Sequence, residues 1–261
     1  MPILESLLLR VSLAALCLAP SAAAQTIRVI KFEESKPFQM GTVVSRRIIH
    51  PDLGAKNTTL NLSVSQPGSE FAQHVHDIST DTILVLEGEV NLKQGANLRL
   101  FKGGEAAYIP AGEVHGTITA GTAPAVMISF QNPPDLALYS GARDSSKAGA
   151  AAPAGRITPG AVQFLNFRAH NGRFLGEQQG VRVVAADHRT LARQERFSAR
   201  TAAGDEAFIF VWRGAVQVTA NGQTYRAGER DTVFIQGAAA FEAAGDGSAA
   251  TEVIYVHAPR R

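Results

Sequence analysis

Cysteine is nearly missing from this chain of 261 residues: the single one, Cys17, lies in an apolar N-terminal stretch. Past that stretch there are no disulfides and no thiolate ligands, so any metal must be held by nitrogen and oxygen. Charge of one sign is missing too, with 25 basic against 23 acidic residues and a net charge of +2. That balance gives no footing for nucleic acid or a charged membrane surface. Sustained helical periodicity is absent apart from a turn or two near 134–139. No apolar run has the length of a bilayer span, because Leu7 to Ala19 is short and interrupted by Arg10 and Ser12.

What that first stretch does have is the pattern of a cleaved export leader. The apolar segment is followed by Ser21-Ala22-Ala23-Ala24, small residues suited to signal-peptidase cleavage, which predicts a leader over 1–24 and a mature chain from Gln25. An uncleaved membrane anchor is the competing reading. There is no twin-arginine pair and no Cys at the cleavage site, which argues against a lipoprotein. A periplasmic or secreted protein is expected, free of the membrane once the leader is removed.

The remaining 237 residues are long enough for two small domains, and an internal repeat divides them. IRVIKF (Ile27 to Phe32) returns as AVQFLNF (Ala161 to Phe167), and TILVLEGEV (Thr82 to Val90) as FIFVWRGAV (Phe208 to Val216). Short alternating strands broken by glycines recur in both halves, so the expected class is all-β. The segment 144–160 is rich in Ala, Gly, Ser and Pro and reads as a linker between domains at 25–143 and 161–261.

The first half concentrates chemistry between Gly68 and Thr119. His74 and His76 are two apart, so on a strand both imidazoles leave the same face. After a polar turn, Asp81 opens a run of strand-formers that ends at Gly88, and His115 follows the turn Pro110-Ala111-Gly112. Three imidazoles and one carboxylate suit iron, manganese, nickel, cobalt, copper or zinc, and one such divalent ion is the expected cofactor. The competing reading is a set of satisfied polar residues in a barrel mouth.

The spacing of Gly68, His74, His76, Asp81 and Gly88, with that of Gly104, Pro110, Gly112, His115 and Thr119, resembles the two conserved motifs of the cupin superfamily. With the repeat, the chain is similar to a bicupin. The resemblance implies two small antiparallel β-barrels (double-stranded β-helices) in tandem, the first holding one metal. Two positions depart from the family pattern: Asp81 stands where Glu is usual, and Thr119 where Asn is usual.

The second half repeats the scaffold without the ligands. Superposing Gly88 on Gly214 replaces His74, His76, Asp81 and His115 with Arg200, Ala202, Ala207 and Phe241. A second barrel without metal, structural or substrate-covering, is expected. His50, His170 and His188 read as surface residues, Asp205 and Glu206 as solvated turn residues, and Trp212 as core. Glu113, just before His115, is the candidate general acid or base, against a competing reading as a solvent-facing turn carboxylate. Thr117 and Thr119 share the parity of His115; Tyr108 and Phe71 are lesser candidates.

Sites of this kind in the cupin family carry out dioxygenation, decarboxylation, isomerisation, hydrolysis or simple ligand capture. The expected function is an exported metal-dependent enzyme, dioxygenase-like, acting on a small oxygenated molecule. A non-redox isomerase, lyase or hydrolase and a binding module without turnover are the alternatives. The expected partner is a small-molecule substrate, and a homo-oligomer is compatible with the sequence.

Overall fold

A computed structural model describes residues 25–139, 154–247 and 249–261. The expected leader lies outside the described residues, as does much of the expected linker.

The structure is all-β, but neither half is a closed barrel. Each half is a sandwich of two antiparallel sheets. In the first, a seven-stranded sheet runs in the order Gln163–Asn166, Glu105–Ile109, Thr80–Glu87, Ala125–Asn132, Leu60–Ser65, Val43–Ile49 and Lys36–Met40. It faces a four-stranded sheet of Glu70–His74, His115–Ala120, Glu89–Gln94 and Asn97–Lys102. The second half repeats this with six strands, centred on Glu206–Arg213 and Thr251–Ala258, over four.

The two repeated N-terminal segments are exchanged. Thr26–Ile30 pairs with Thr232–Gln236 in the second half, and Gln163–Asn166 pairs with Glu105–Ile109 in the first. Each half thus covers an edge of the other's large sheet, an edge that would otherwise present unpaired N–H and C=O groups.

Period-2 alternation explains how one chain serves two interfaces. In Thr80–Glu87 and Glu206–Arg213, seven consecutive residues are buried in each strand. Even-numbered side chains such as Leu84, Leu86, Phe208 and Phe210 enter a core shared by both large sheets. Phe130 meets Phe208 edge to face there, with ring centroids 5.8 Å apart. Odd-numbered side chains such as Ile83 and Val85, or Ile209 and Val211, point into each half's own sandwich. Trp212 lies in the shared core, as its strand neighbours suggest.

Several polar residues expected at the surface are buried. Glu206 is 3% exposed because its carboxylate accepts the backbone N–H groups of Lys56, Asn57 and Thr58 at 2.8, 2.8 and 3.1 Å, clasping the halves together. Asp205 accepts from the N–H groups of Ala202 and Arg260 and pairs with His257. His188 is buried between the His170 carbonyl and Glu252, and His50 is buried beside Asp52, whereas His170 is exposed. Turn chemistry in the sequence places these residues near chain reversals, but only the packed chain supplies the partners that let them be buried, from the opposing half for Glu206 and from within the same half for Asp205 and His188.

Candidate metal centre

Four elements bring the predicted ligands together. Glu70–His74 ends at the first ligand, His76 lies two residues beyond, Asp81 is the second residue of Thr80–Glu87, and His115 opens its strand directly opposite His74. Close approach is needed, and glycine permits it: a Cβ on Gly116 would stand 2.7 Å from the Phe71 carbonyl oxygen. Gly112, at φ +83°, turns the chain so that its N–H bonds the His76 carbonyl at 2.7 Å, tying the second ligand to the turn that precedes the last.

All four side chains are buried, and one donor atom from each lies within 4.8 Å of the others. The imidazole rings pack with centroids 4.3 Å apart for His74 and His115, 4.8 Å for His74 and His76, and 5.2 Å for His76 and His115. Each ring is held by its Nδ1. His74 Nδ1 donates to the Ala72 carbonyl at 2.9 Å, His115 Nδ1 to the Glu113 carbonyl at 3.0 Å, and His76 Nδ1 to the Asp135 carboxylate at 2.8 Å. Carbonyls and carboxylates only accept, so the proton sits on Nδ1 and each Nε2 is left as a donor for a metal.

The electrostatics follow from burial and these neighbours. Burial, then His115 and His76, hold His74 well below the usual imidazole range, so it is neutral. Burial also lowers His76, but bonds to Asp135 and Asp81 outweigh it and raise the ring above the usual imidazole range. Burial raises Asp81, yet His115 at 3.4 Å and His76 at 3.8 Å reverse this and keep the carboxylate ionised far below its usual range. Asp81 Oδ1 is buried without any hydrogen-bond partner. A divalent first-row metal fits this set, because it supplies the acceptor-only Asp81 oxygen and the inward nitrogen lone pairs with the positive charge they otherwise lack. The shorter arm of Asp81 therefore still brings its carboxylate into the cluster.

His74, Asp81 and His115 form one wall of a cavity of about 40 Å³, with His76 behind them. Arg47, Asn61, Ser129, Gln131 and Tyr139 add polar groups, and Phe38, Phe71, Ile83 and Met127 an apolar side. Phe71 and Thr117 line it, whereas Thr119 is occupied by Ser65 Oγ at 2.5 Å and Tyr108 lies in the shared core.

Glu113 does not face this cavity. Its carboxylate accepts from the Thr158 N–H at 2.8 Å and the Thr158 hydroxyl at 2.7 Å, with Arg156 Nε 3.6 Å away. It fastens 156–158 against the turn before His115, where its backbone carbonyl orients the His115 ring. Sequence reasoning also missed Asp135 and Arg47. Asp135 is 59 positions from His76, and nothing local links the two.

In the second half the corresponding interior is filled rather than open. Phe241 is 4% exposed, and Tyr255 packs against it and against Phe197 at centroid distances of 5.9 and 5.6 Å. Ala207 joins the same apolar cluster, so the space taken by imidazoles and carboxylate in the first half holds hydrocarbon here.

Residues 61–130, which hold all four ligands, match the family model described as Cupin domain. No curated protein matches the sequence. Among solved structures, Bacillus subtilis oxalate decarboxylase, studied for its Mn(II) centres, superposes with a TM-score of 0.66 at 10% identity over 89% of this chain and 77% of that one. Its structure at pH 4.6 gives 0.66 at 11% over 88% and 76%. Protein Ylba from E. coli gives 0.68 at 11% over 90% and 91%. At such identities these likenesses concern the fold alone. Motif and architecture agree: residues 61–130 form a cupin domain carrying a metal-type cluster, and a second half of like architecture follows it.

Proposed function

We propose that the protein is an exported metal-dependent enzyme with dioxygenase-like chemistry on a small oxygenated molecule. The observation that carries the reading is the convergence of three oriented imidazoles with an ionised, partly unpaired Asp81, three of the four residues lining a small cavity. His74, His76, Asp81 and His115 would hold the ion, which when bound acts as a Lewis acid and a site for dioxygen. Asp135, Ala72 and the Glu113 carbonyl keep the rings in place. The apolar side of the cavity excludes bulk water and strengthens electrostatic contacts inside it.

The polar wall supports a redox reading over proton-transfer chemistry. With Glu113 turned away, the titratable groups lining the cavity are the ligands themselves, Arg47 and Tyr139. Burial pushes the Tyr139 hydroxyl above the usual phenol range, so at neutral pH it is a donor and a poor base. A non-redox lyase is the second reading, favoured by the likeness to oxalate decarboxylase and its Mn(II) centres.

Elemental analysis of wild type and His76→Ala, followed by oxygen-uptake assays on small oxygenated acids and catechols, tests the proposal. Near-stoichiometric metal lost in the variant, with oxygen consumed during turnover, is the expected result. Turnover without oxygen uptake would select the lyase reading, and absence of bound metal would sink both. Export is tested by N-terminal sequencing of protein from the periplasm or medium, where Gln25 should come first.

A further inference from the structure

The cavity has a second pole. Arg47 lies on Val43–Ile49 and is paired across the ladder with Asn61. Its guanidinium carbon is 4.6 Å from the ring centroids of both Phe38 and Tyr139, so aromatic surfaces flank the cation. Among the described residues it pairs with no carboxylate, and its Nε is buried without a hydrogen-bond partner. Arg28, Arg189 and Arg230 also have a buried, unpaired Nε, but Arg28 is committed to the Leu53 carbonyl and Gln236, Arg189 to Asp187, and Arg230, beside Phe32 and Trp212, does not line the cavity as Arg47 does. A buried charged donor without an acceptor is costly, and at Arg47 the cavity leaves room for a ligand that supplies one.

The sheet sets the distance between the poles. From Val43–Ile49 to Thr80–Glu87 there are three strand spacings, about 14 Å along the sheet at ~4.8 Å each. The arginine side chain bridges part of that gap, and the free room of about 40 Å³ corresponds to roughly three water-sized positions.

We propose that Arg47 is a substrate-anchoring residue, and that the cavity takes a small carboxylic acid bearing a second oxygen donor, such as a 2-hydroxy or 2-oxo acid. The carboxylate meets the guanidinium edge, whose N–H groups match its two oxygens, and the second oxygen is directed to the His74, His76, Asp81 and His115 end. The inference rests on the metal-site reading for that second end only; the Arg47 end stands on its own contacts.

Calorimetric titration with glycolate, and with its neutral isostere glycolamide, on metal-loaded and chelator-treated protein tests this. Wild type should bind glycolate at least tenfold tighter than glycolamide, and Arg47→Gln should remove that preference in both forms while keeping metal content and melting temperature. Arg47→Lys, which keeps charge but not the planar fork, should retain part of it. Equal binding of the two probes by wild type, or an undiminished preference in Arg47→Gln, would overturn the proposal and leave the metal reading intact. Should the glutamine variant unfold, Arg47→Lys and the wild-type probe comparison still decide. A preference for glycolate that depends on Arg47 in a protein that binds no metal would uphold the anchor and refute the metal reading instead.

Discussion

His76 and Asp135 form a buried pair, Nδ1 to Oδ2 at 2.8 Å, and the other carboxylate oxygen of Asp135 accepts the N–H groups of Ala137 and Leu138 at 3.0 and 3.3 Å. One carboxylate therefore orients an imidazole of the His74, His76, Asp81 and His115 cluster and fixes the start of the short helix Leu136–Tyr139, whose last residue flanks Arg47. Asp135→Ala should weaken metal binding by about 10- to 100-fold, the usual effect of losing such an outer partner. Competition with a chromophoric chelator measures it; unchanged affinity would mean that His76 is oriented without Asp135.

Glu113→Ala should destabilise without emptying the site. The carboxylate is 2% exposed and its loss leaves the Thr158 N–H and hydroxyl unpaired, a cost of roughly 1–3 kcal/mol. The His115 ring is held by the backbone carbonyl of residue 113, which the substitution keeps. Metal content should match wild type while the urea midpoint falls; a variant of full stability with lost turnover would restore Glu113 to the chemistry.

Glu206→Ala should cost more, about 3–5 kcal/mol, because three backbone N–H groups of the first half and the Gln236 amide lose one shared acceptor inside a closed interface. Chemical denaturation compared with Glu206→Gln would measure it, the glutamine recovering part of the loss.

Tyr255 gives the protein an alkaline limit. Burial, with Asp187 adding to it, raises its hydroxyl from 10.0 to about 12. The unfolded chain ionises first, so stability is independent of this group below pH 10 and falls as pH rises from 10 towards 12, by about 3 kcal/mol in all. Tyr255→Phe should flatten that fall between pH 10 and 12 in denaturation curves. An unchanged slope would mean that the hydroxyl is not held neutral.

Neither half should fold by itself. Residues 25–139 lack Gln163–Asn166, residues 154–261 lack Thr26–Ile30, and each would expose the large sheet face that carries Leu84 and Leu86 or Phe208 and Phe210. Expressed separately, each should aggregate or remain unfolded by circular dichroism, and co-expression should recover soluble complex. A monomeric, cooperatively melting single half would contradict the shared core.

The sequence by itself determined the all-β class, the repeat and the four residues that the structure gathers into one cluster, because these depend on short-range rules. Parity places His74, glycine and proline mark turns, and strand-formers follow Asp81. It could not determine which strand pairs with which: IRVIKF and its repeat read as first strands of their own halves, and only the tertiary structure places each in the other. The same limit hid Asp135 and Arg47. In the run Ser45-Arg46-Arg47 one arginine bonds the Ser35 carbonyl at a partly buried rim and the other lines the cavity with Ser45, a choice set by which face of the strand the packed sheet turns to the cavity. It also misplaced Glu113 and Glu206, whose burial depends on donors that arrive from 45 and about 150 positions away. A carboxylate in a turn is solvated unless distant backbone N–H groups close over it, and that closure is a property of the packed chain.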